Sequence, residues 1–112
     1  MQLTTADIGN EITKISLSGR LDIDGALKID DEFMDIVKQK KFLAVDLSEV
    51  SFLASLGMRT LVSGAKASWE NNGKLVLLKP QENVEKALRA AAIDTIIPIV
   101  RDMGEAERVF GL

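Results

Sequence analysis

The sequence predicts an α/β domain in which a mixed sheet of about five strands is flanked by about four helices. Short, nearly continuous apolar runs at residues 42–47 and 75–78 are typical of buried strands. Segments with helical spacing follow each of these runs, and the opening stretch favours a hairpin, so the sheet is mixed rather than purely parallel. At 112 residues the chain is expected to form one domain, residues 1–112.

The first 19 residues predict the hairpin. Gly9 and Asn10 supply turn chemistry, and the flanking segments hold isoleucines among threonines and serines, which strands tolerate well. Ile12 and Ile15 are out of phase with each other, so the alternation expected of a strand is imperfect.

Residues 19–41 change to helical spacing, with Asp24 as the predicted N-cap. The expected core face of this helix consists of Ala26, Ile29, Phe33, Ile36 and Val37.

The second half of the chain alternates strands and helices. After the strand at 42–47 we expect a loop at 48–54, a helix at 55–70 and a strand at 75–78. A helix at 80–92, an edge strand at 96–100 that contains Pro98, and a helix at 104–110 follow. In the 55–70 helix the residues at core spacing are Met58, Leu61, Val62, Ala65 and Trp69, and Asn71, Asn72 and Gly73 end it.

Composition excludes several classes of function. A formal net charge of −3 disfavours a nucleic-acid partner, since binders of phosphate backbones concentrate Lys and Arg. Cysteine and histidine are absent, which removes thiolate nucleophiles, the usual zinc ligands and the commonest general base. The carboxylates of Asp22, Asp24, Asp30 and Asp31 lack the spacing of a calcium loop and fit a solvated face better. We therefore expect no metal, no cofactor and no catalytic residues.

No leader segment and no apolar run near the roughly 20 residues of a membrane span is visible, so a cytoplasmic protein without membrane insertion is expected.

Ser55 is the residue with the most informative position. A serine at the start of a helix can cap the backbone N–H groups that have no helical partner. The same donors and the helix dipole would also stabilise a phosphate on its hydroxyl. Both interpretations stay open, since a capping serine can also be a phosphate acceptor.

Three stretches resemble STAS domains, of the stand-alone type that antagonises anti-sigma factors. They are GRLDIDGA at 19–26, VDLSEVSFLASLGMRTL at 45–61 and LRAAAIDTIIPIVRDMGEAERVF at 88–110. The most specific segment is 46–57. The residues that match the family pattern there are Asp46, Leu47, Ser48, Val50, Phe52, Ser55 and Gly57.

The resemblance implies a mixed sheet flanked by helices, with a phosphorylatable serine, here Ser55, at the N-terminus of the second helix. It also implies a partner, a serine kinase that is an anti-sigma factor. The unmodified antagonist binds this kinase and frees the sigma factor, and the phosphorylated antagonist does not. A protein of this type is a kinase substrate and a binding module rather than an enzyme.

Two positions depart from the family pattern. Ala54 replaces the aspartate before the acceptor serine, and Leu56 replaces the small residue after it. Both changes make the surface more apolar. They favour an alternative in which the chain is a constitutive STAS subunit of an ABC transporter ATPase complex for lipid trafficking, or part of a stress-signalling scaffold.

In either case we expect the partner to dock on the start of the second helix. Ala54, Ser55, Leu56, Gly57 and Arg59 form the predicted surface, with Gly57 and Arg59 facing outward and Leu56 exposed. Asp22 and Asp24, at the end of the hairpin, are predicted to border it.

Overall fold

The computed structural model describes residues 1–9 and 11–112, so Asn10 of the predicted turn lies outside the described residues. The fold is the predicted mixed sheet with helices. Five strands are described, β1 Gln2–Ile8, β2 Ile12–Leu21, β3 Phe42–Leu53, β4 Lys74–Leu78 and β5 Ile99–Val100. The described α-helices are α1 Ile23–Gln39, α2 Ser55–Glu70, α3 Glu82–Ala90 and α4 Met103–Phe110, with a short 3₁₀ turn at Ile93–Thr95.

The strands lie in the order β1-β2-β3-β4-β5. β1 runs antiparallel to β2, and every other neighbouring pair is parallel. Because β2 and β3 are parallel neighbours, their carboxyl ends meet at the same edge of the sheet. The helices that follow these strands, α1 and α2, therefore begin side by side, and this edge carries the site described below.

Two apolar clusters cover the two faces of the sheet. The larger contains Ile15 of β2 together with the core residues of α1, α2 and α3, and the smaller contains Ile12 together with those of α4. The phase difference between Ile12 and Ile15 thus has a simple cause, since β2 is covered on both faces.

Most predicted elements are confirmed, and α2 has the predicted bounds. The prediction of a loop at 48–54 was wrong, because β3 continues to Leu53 and pairs with the end of β2. The predicted strand at 96–100 is reduced to β5, at the edge of the sheet. Trp69 was expected in the core, yet it is 45% exposed near the C-terminus of α2.

Gly57 is buried, so the expectation that it faces outward was wrong. A Cβ at this position would overlap the carbonyl oxygen of Leu21, and would lie 2.6 Å from Leu21 Cγ and 3.0 Å from Leu53 Cδ1. The first turn of α2 therefore lies directly against the end of β2, an approach that only glycine permits.

An ion-pair network joins α3 to the segments that follow it, as far as Arg101. Arg101, just after β5, binds both carboxylate oxygens of Glu85 in α3, at 2.7 and 2.6 Å. Arg89 Nε donates to the same carboxylate at 2.9 Å, and Arg89 also pairs with Asp94 at 3.1 Å. The hydrogen bonds from Arg101, and then those from Arg89, lower the pKa of Glu85 to about 2.

We predict that Glu85→Gln flattens the pH dependence of stability in acid. Because the pKa of Glu85 is lower in the folded chain, the unfolded chain binds more protons between pH 4.5 and about 2. Its stabilising effect is therefore complete above this window and is lost as the pH falls through it. Allowing for solvent screening, we expect the free energy of unfolding of the wild type to fall by roughly 1 kcal/mol more than that of Glu85→Gln over this window. Urea unfolding at several pH values measures it.

The control is Glu82→Gln, which removes a carboxylate of the same helix that pairs with Lys86 at the surface. Equal acid sensitivity of wild type and Glu85→Gln would contradict the assignment.

We predict that Gly57→Ala lowers the free energy of unfolding by about 1–3 kcal/mol, because the added methyl group forces α2 away from β2. Urea unfolding measures the loss. Gly104→Ala is the matched control, since Gly104 lies in the first turn of α4, where the nearest atom to a new Cβ is Asp102 Oδ1 at 3.2 Å. If Gly104→Ala lowered the free energy of unfolding as much as Gly57→Ala does, the close packing of Gly57 would not be the cause of the loss.

Candidate functional site

The junction between β3 and α2 presents Ser55. Ala54 has extended backbone angles, φ −104° and ψ 172°, and is the N-cap residue of α2. Its N–H donates to the Leu21 carbonyl at 3.0 Å, and its own carbonyl accepts from Met58 N–H at 3.0 Å. Ser55 is thus the first residue inside the helix, and its side chain is exposed.

The interpretation of Ser55 as the cap was therefore wrong. The capping position belongs to Ala54, whose methyl group accepts no hydrogen bond, and no acidic side chain lies in the first turn of α2. Among the described residues, the amide donors at this helix end are left without a side-chain cap. They remain available to an anion on the Ser55 side chain.

The neighbouring junction, between β2 and α1, is capped by Asp22 rather than by the predicted Asp24. Asp22 Oδ1 accepts from Gly25 N–H at 2.9 Å, and Arg20 Nε lies 3.3 Å from Oδ2. The Gly25 hydrogen bond, with a smaller contribution from Arg20, lowers the pKa of the Asp22 carboxyl. Asp24 lies exposed in the first turn of α1, where its charge suits the helix dipole.

The two junctions enclose a shallow groove lined by Ile23, Ala54, Ser55, Leu56 and Arg59, here called the Ser55 groove. Ser55 and Arg59 are exposed, and Ile23 is 61% exposed. Leu56 was expected to be exposed, but it is half-buried and packs against the larger apolar cluster. The structure thus brings four predicted residues together. Asp22 and Asp24, which were predicted to border this surface, do not line the groove and adjoin it only through Ile23, which lies between them in the chain.

Sequence reasoning missed Ile23. The available signal was an apolar residue between two aspartates at the start of the predicted helix. Ile23 is the first residue of α1, and its exposure marks the groove as partly apolar.

Neither a metal site nor a membrane span is visible in the part of the chain that the structure describes. No three acidic side chains of residues 1–9 and 11–112 come together as metal ligands. Within the same residues, no helix has the length and apolar character needed to cross a membrane.

We predict that Ala54→Asp raises the free energy of unfolding by about 1 kcal/mol. The backbone at this position already has N-cap geometry, so the new carboxylate can accept hydrogen bonds from the first-turn amides. Urea unfolding at neutral pH measures the gain. Ala6→Asp adds the same charge at an exposed position of β1 and is expected to give none. An unchanged unfolding midpoint for Ala54→Asp would contradict the uncapped helix end.

Comparison with known proteins assigns the fold. The family model of the STAS domain matches residues 4–106. A crystal structure of an anti-sigma factor antagonist from Mycobacterium paratuberculosis superposes with a TM-score of 0.87 at 19% identity, covering 99% of this chain and 94% of that one. The unphosphorylated form of the anti-sigma factor antagonist SpoIIAA superposes with a TM-score of 0.80 at 18% identity, covering 99% and 98% of the two chains.

The phosphorylated form of SpoIIAA, a Bacillus cell-fate determinant, also has this fold. It superposes with a TM-score of 0.71 at 17% identity, over 96% of this chain and 99% of that one. The family model matches most of the sequence, and the chain therefore belongs to the STAS domain family.

Proposed function

We propose that the protein is an anti-sigma factor antagonist, which binds a serine kinase that is also an anti-sigma factor and is switched off by phosphorylation at Ser55. The observation that carries the proposal is the position of Ser55, an exposed serine at the start of α2 inside a partly apolar groove. It acts by binding rather than by catalysis, and such a partner would place it in the cytoplasm.

The groove has the chemistry of a docking surface. Ile23, Ala54 and Leu56 offer apolar contact, while Arg59 supplies a cation at the rim. Gly57 contributes indirectly, because its packing against Leu21 fixes the direction in which Ser55 and Leu56 project. Asp22 holds the facing junction through its cap on α1, and Asp24 lies exposed in the first turn of the same helix.

Phosphorylation at Ser55 would act on the partner rather than on the fold. It adds about 1.5 to 2 negative charges at the centre of the contact. Arg59 and the first-turn amides would compensate this charge in the free protein, so the penalty would arise only on docking, when the partner removes its water. Where the partner surface facing Ser55 offers no cation, burying the charge costs several kcal/mol, and a loss of roughly 3 kcal/mol weakens binding more than a hundredfold.

The experiment compares Ser55→Asp with wild type in calorimetric titrations against the purified kinase of the same genome. We expect the affinity to fall at least tenfold while circular dichroism stays unchanged, since an acidic residue suits the first turn of a helix. Ser55→Ala should bind as wild type does. Thr4→Asp, at an exposed position of β1, is the matched control for added charge. Full affinity of Ser55→Asp would overturn the switch but not the binding role.

A second candidate function is a constitutive STAS subunit of an ABC transporter ATPase complex. The apolar pair Ala54 and Leu56 favours it, because an apolar groove suits permanent contact better than access by a kinase. Intact-mass analysis of the protein recovered from its own cells with its partner separates the two. A phosphoryl group at Ser55 with a kinase supports the first function, and an unmodified serine bound to a transporter ATPase supports the second.

A further inference from the structure

Two large apolar side chains project from α1 into solvent. Ile23 is 61% exposed and Leu27 is 69% exposed, the highest values among the large apolar residues of the described chain. They are four positions apart and so lie on one side of the helix. The buried residues of α1 lie on another side, at Ala26, Ile29, Phe33 and Val37. Leu27 therefore does not belong to the core. Packing within the chain gives no reason for an apolar side chain at this exposed position.

The helical neighbours of Leu27 are acidic. Positions three and four residues away on a helix are the ones that touch. For Leu27 these positions hold Ile23, Asp24, Asp30 and Asp31. Leu27 is thus an exposed apolar side chain among three carboxylates, and these five residues are here called the α1 patch.

The carboxylates of the α1 patch form no ion pair within the described residues. In residues 1–9 and 11–112, no Lys or Arg nitrogen lies within 4.0 Å of the carboxylates of Asp24, Asp30 or Asp31, although six ion pairs form elsewhere. Unpaired carboxylates around an apolar side chain match a partner whose apolar pocket is rimmed by cations.

The α1 patch is continuous with the Ser55 groove. Ile23 lines that groove beside Ser55, and Asp30 lines the next hollow between α1 and α2, together with Leu56 and Arg59. A partner seated on Ser55 would therefore reach Leu27 without leaving the surface of the two helices.

We propose that the α1 patch is part of the partner interface, and that it receives a protein surface with an apolar pocket for Leu27 and Lys or Arg side chains around it. This inference rests on the proposed function and names the chemistry of its partner. A second copy of the chain fits poorly, since a two-fold contact would place the same aspartates against each other. The same charges disfavour anionic lipid and nucleic acid.

The first test is Leu27→Ser, titrated against the same purified kinase. Because Leu27 is largely exposed, the variant should fold normally, which circular dichroism verifies. We expect the dissociation constant to rise at least tenfold, as for a central apolar anchor. Trp69→Ser is the matched control, since Trp69 is 45% exposed near the other end of α2, and its affinity should be unchanged.

The second test concerns charge. In Asp24→Asn/Asp31→Asn we expect a slower association rate and a weaker dependence of that rate on salt, because steering by the patch is lost. Glu70→Gln/Glu107→Gln, which removes two exposed carboxylates elsewhere, should leave both unchanged.

The outcomes separate this inference from the proposed function. If Ser55→Asp weakens binding and Leu27→Ser does not, the α1 patch is not an interface, while the proposed function stands. If wild type does not bind the kinase at all, the proposed function is overturned, and this inference with it. Self-association of wild type in sedimentation velocity, abolished by Leu27→Ser, would make a second copy the occupant and overturn the proposal.

Discussion

The site depends on how closely two helices approach the end of β2. A Cβ on Gly25 would overlap the carbonyl oxygen of Arg20, and a Cβ on Gly57 would overlap that of Leu21. The Leu21 carbonyl also accepts the Ala54 N–H at 3.0 Å, just before α2 begins. Two successive residues of one strand therefore hold the first turns of both helices, and the space is available only because both helices carry glycine there.

This packing determines which side chains face solvent. Gly57 is held against Leu21. Ser55, two positions before it, and Arg59, two positions after it, therefore lie on the outer side of α2. With Gly25 held in the same way, Ile23 and Leu27 lie on the outer side of α1. The exposed apolar surface is thus a consequence of the tight packing beneath it, and both glycines matter to a surface that neither of them touches.

Periodicity predicted the parts of the fold that depend on burial. The bounds of α2 follow from its core spacing and from the Asn71, Asn72 and Gly73 stop, at which Asn72 has a positive φ of 60°. The extension of β3 to Leu53 could not be predicted from the sequence, because Ser48, Glu49 and Ser51 interrupt its apolar pattern. In the structure its pairing with β2 nevertheless continues past irregularities in the register. Trp69 was wrongly expected in the core because the buried position in the last turn of α2 is its neighbour Ser68, which lies on the same side of the helix as Leu61 and Gly64.

The candidate site was harder to predict, for a related reason. Asp22 and Asp24 are equally good capping residues by type, and only the Gly25 contact decides between them. The orientation of Gly57 likewise depends on Leu21, which lies 36 positions earlier in the chain. The sequence motif indicated where the candidate site lies, but the direction in which each side chain projects is set by contacts between β2 and the two helices.

The replacement of aspartate by Ala54 separates the proposed switch from the stability of the fold. An aspartate at the cap would already occupy the first-turn amides and would repel a phosphate on the next residue. With Ala54 those donors stay free, and Arg59 lies one turn away on the same side of α2 as Ser55. A phosphate at Ser55 would then be favourable to the helix by about 0.3–1 kcal/mol. The unfavourable part of the modification would fall on the interface, so the chain could be switched repeatedly without being destabilised.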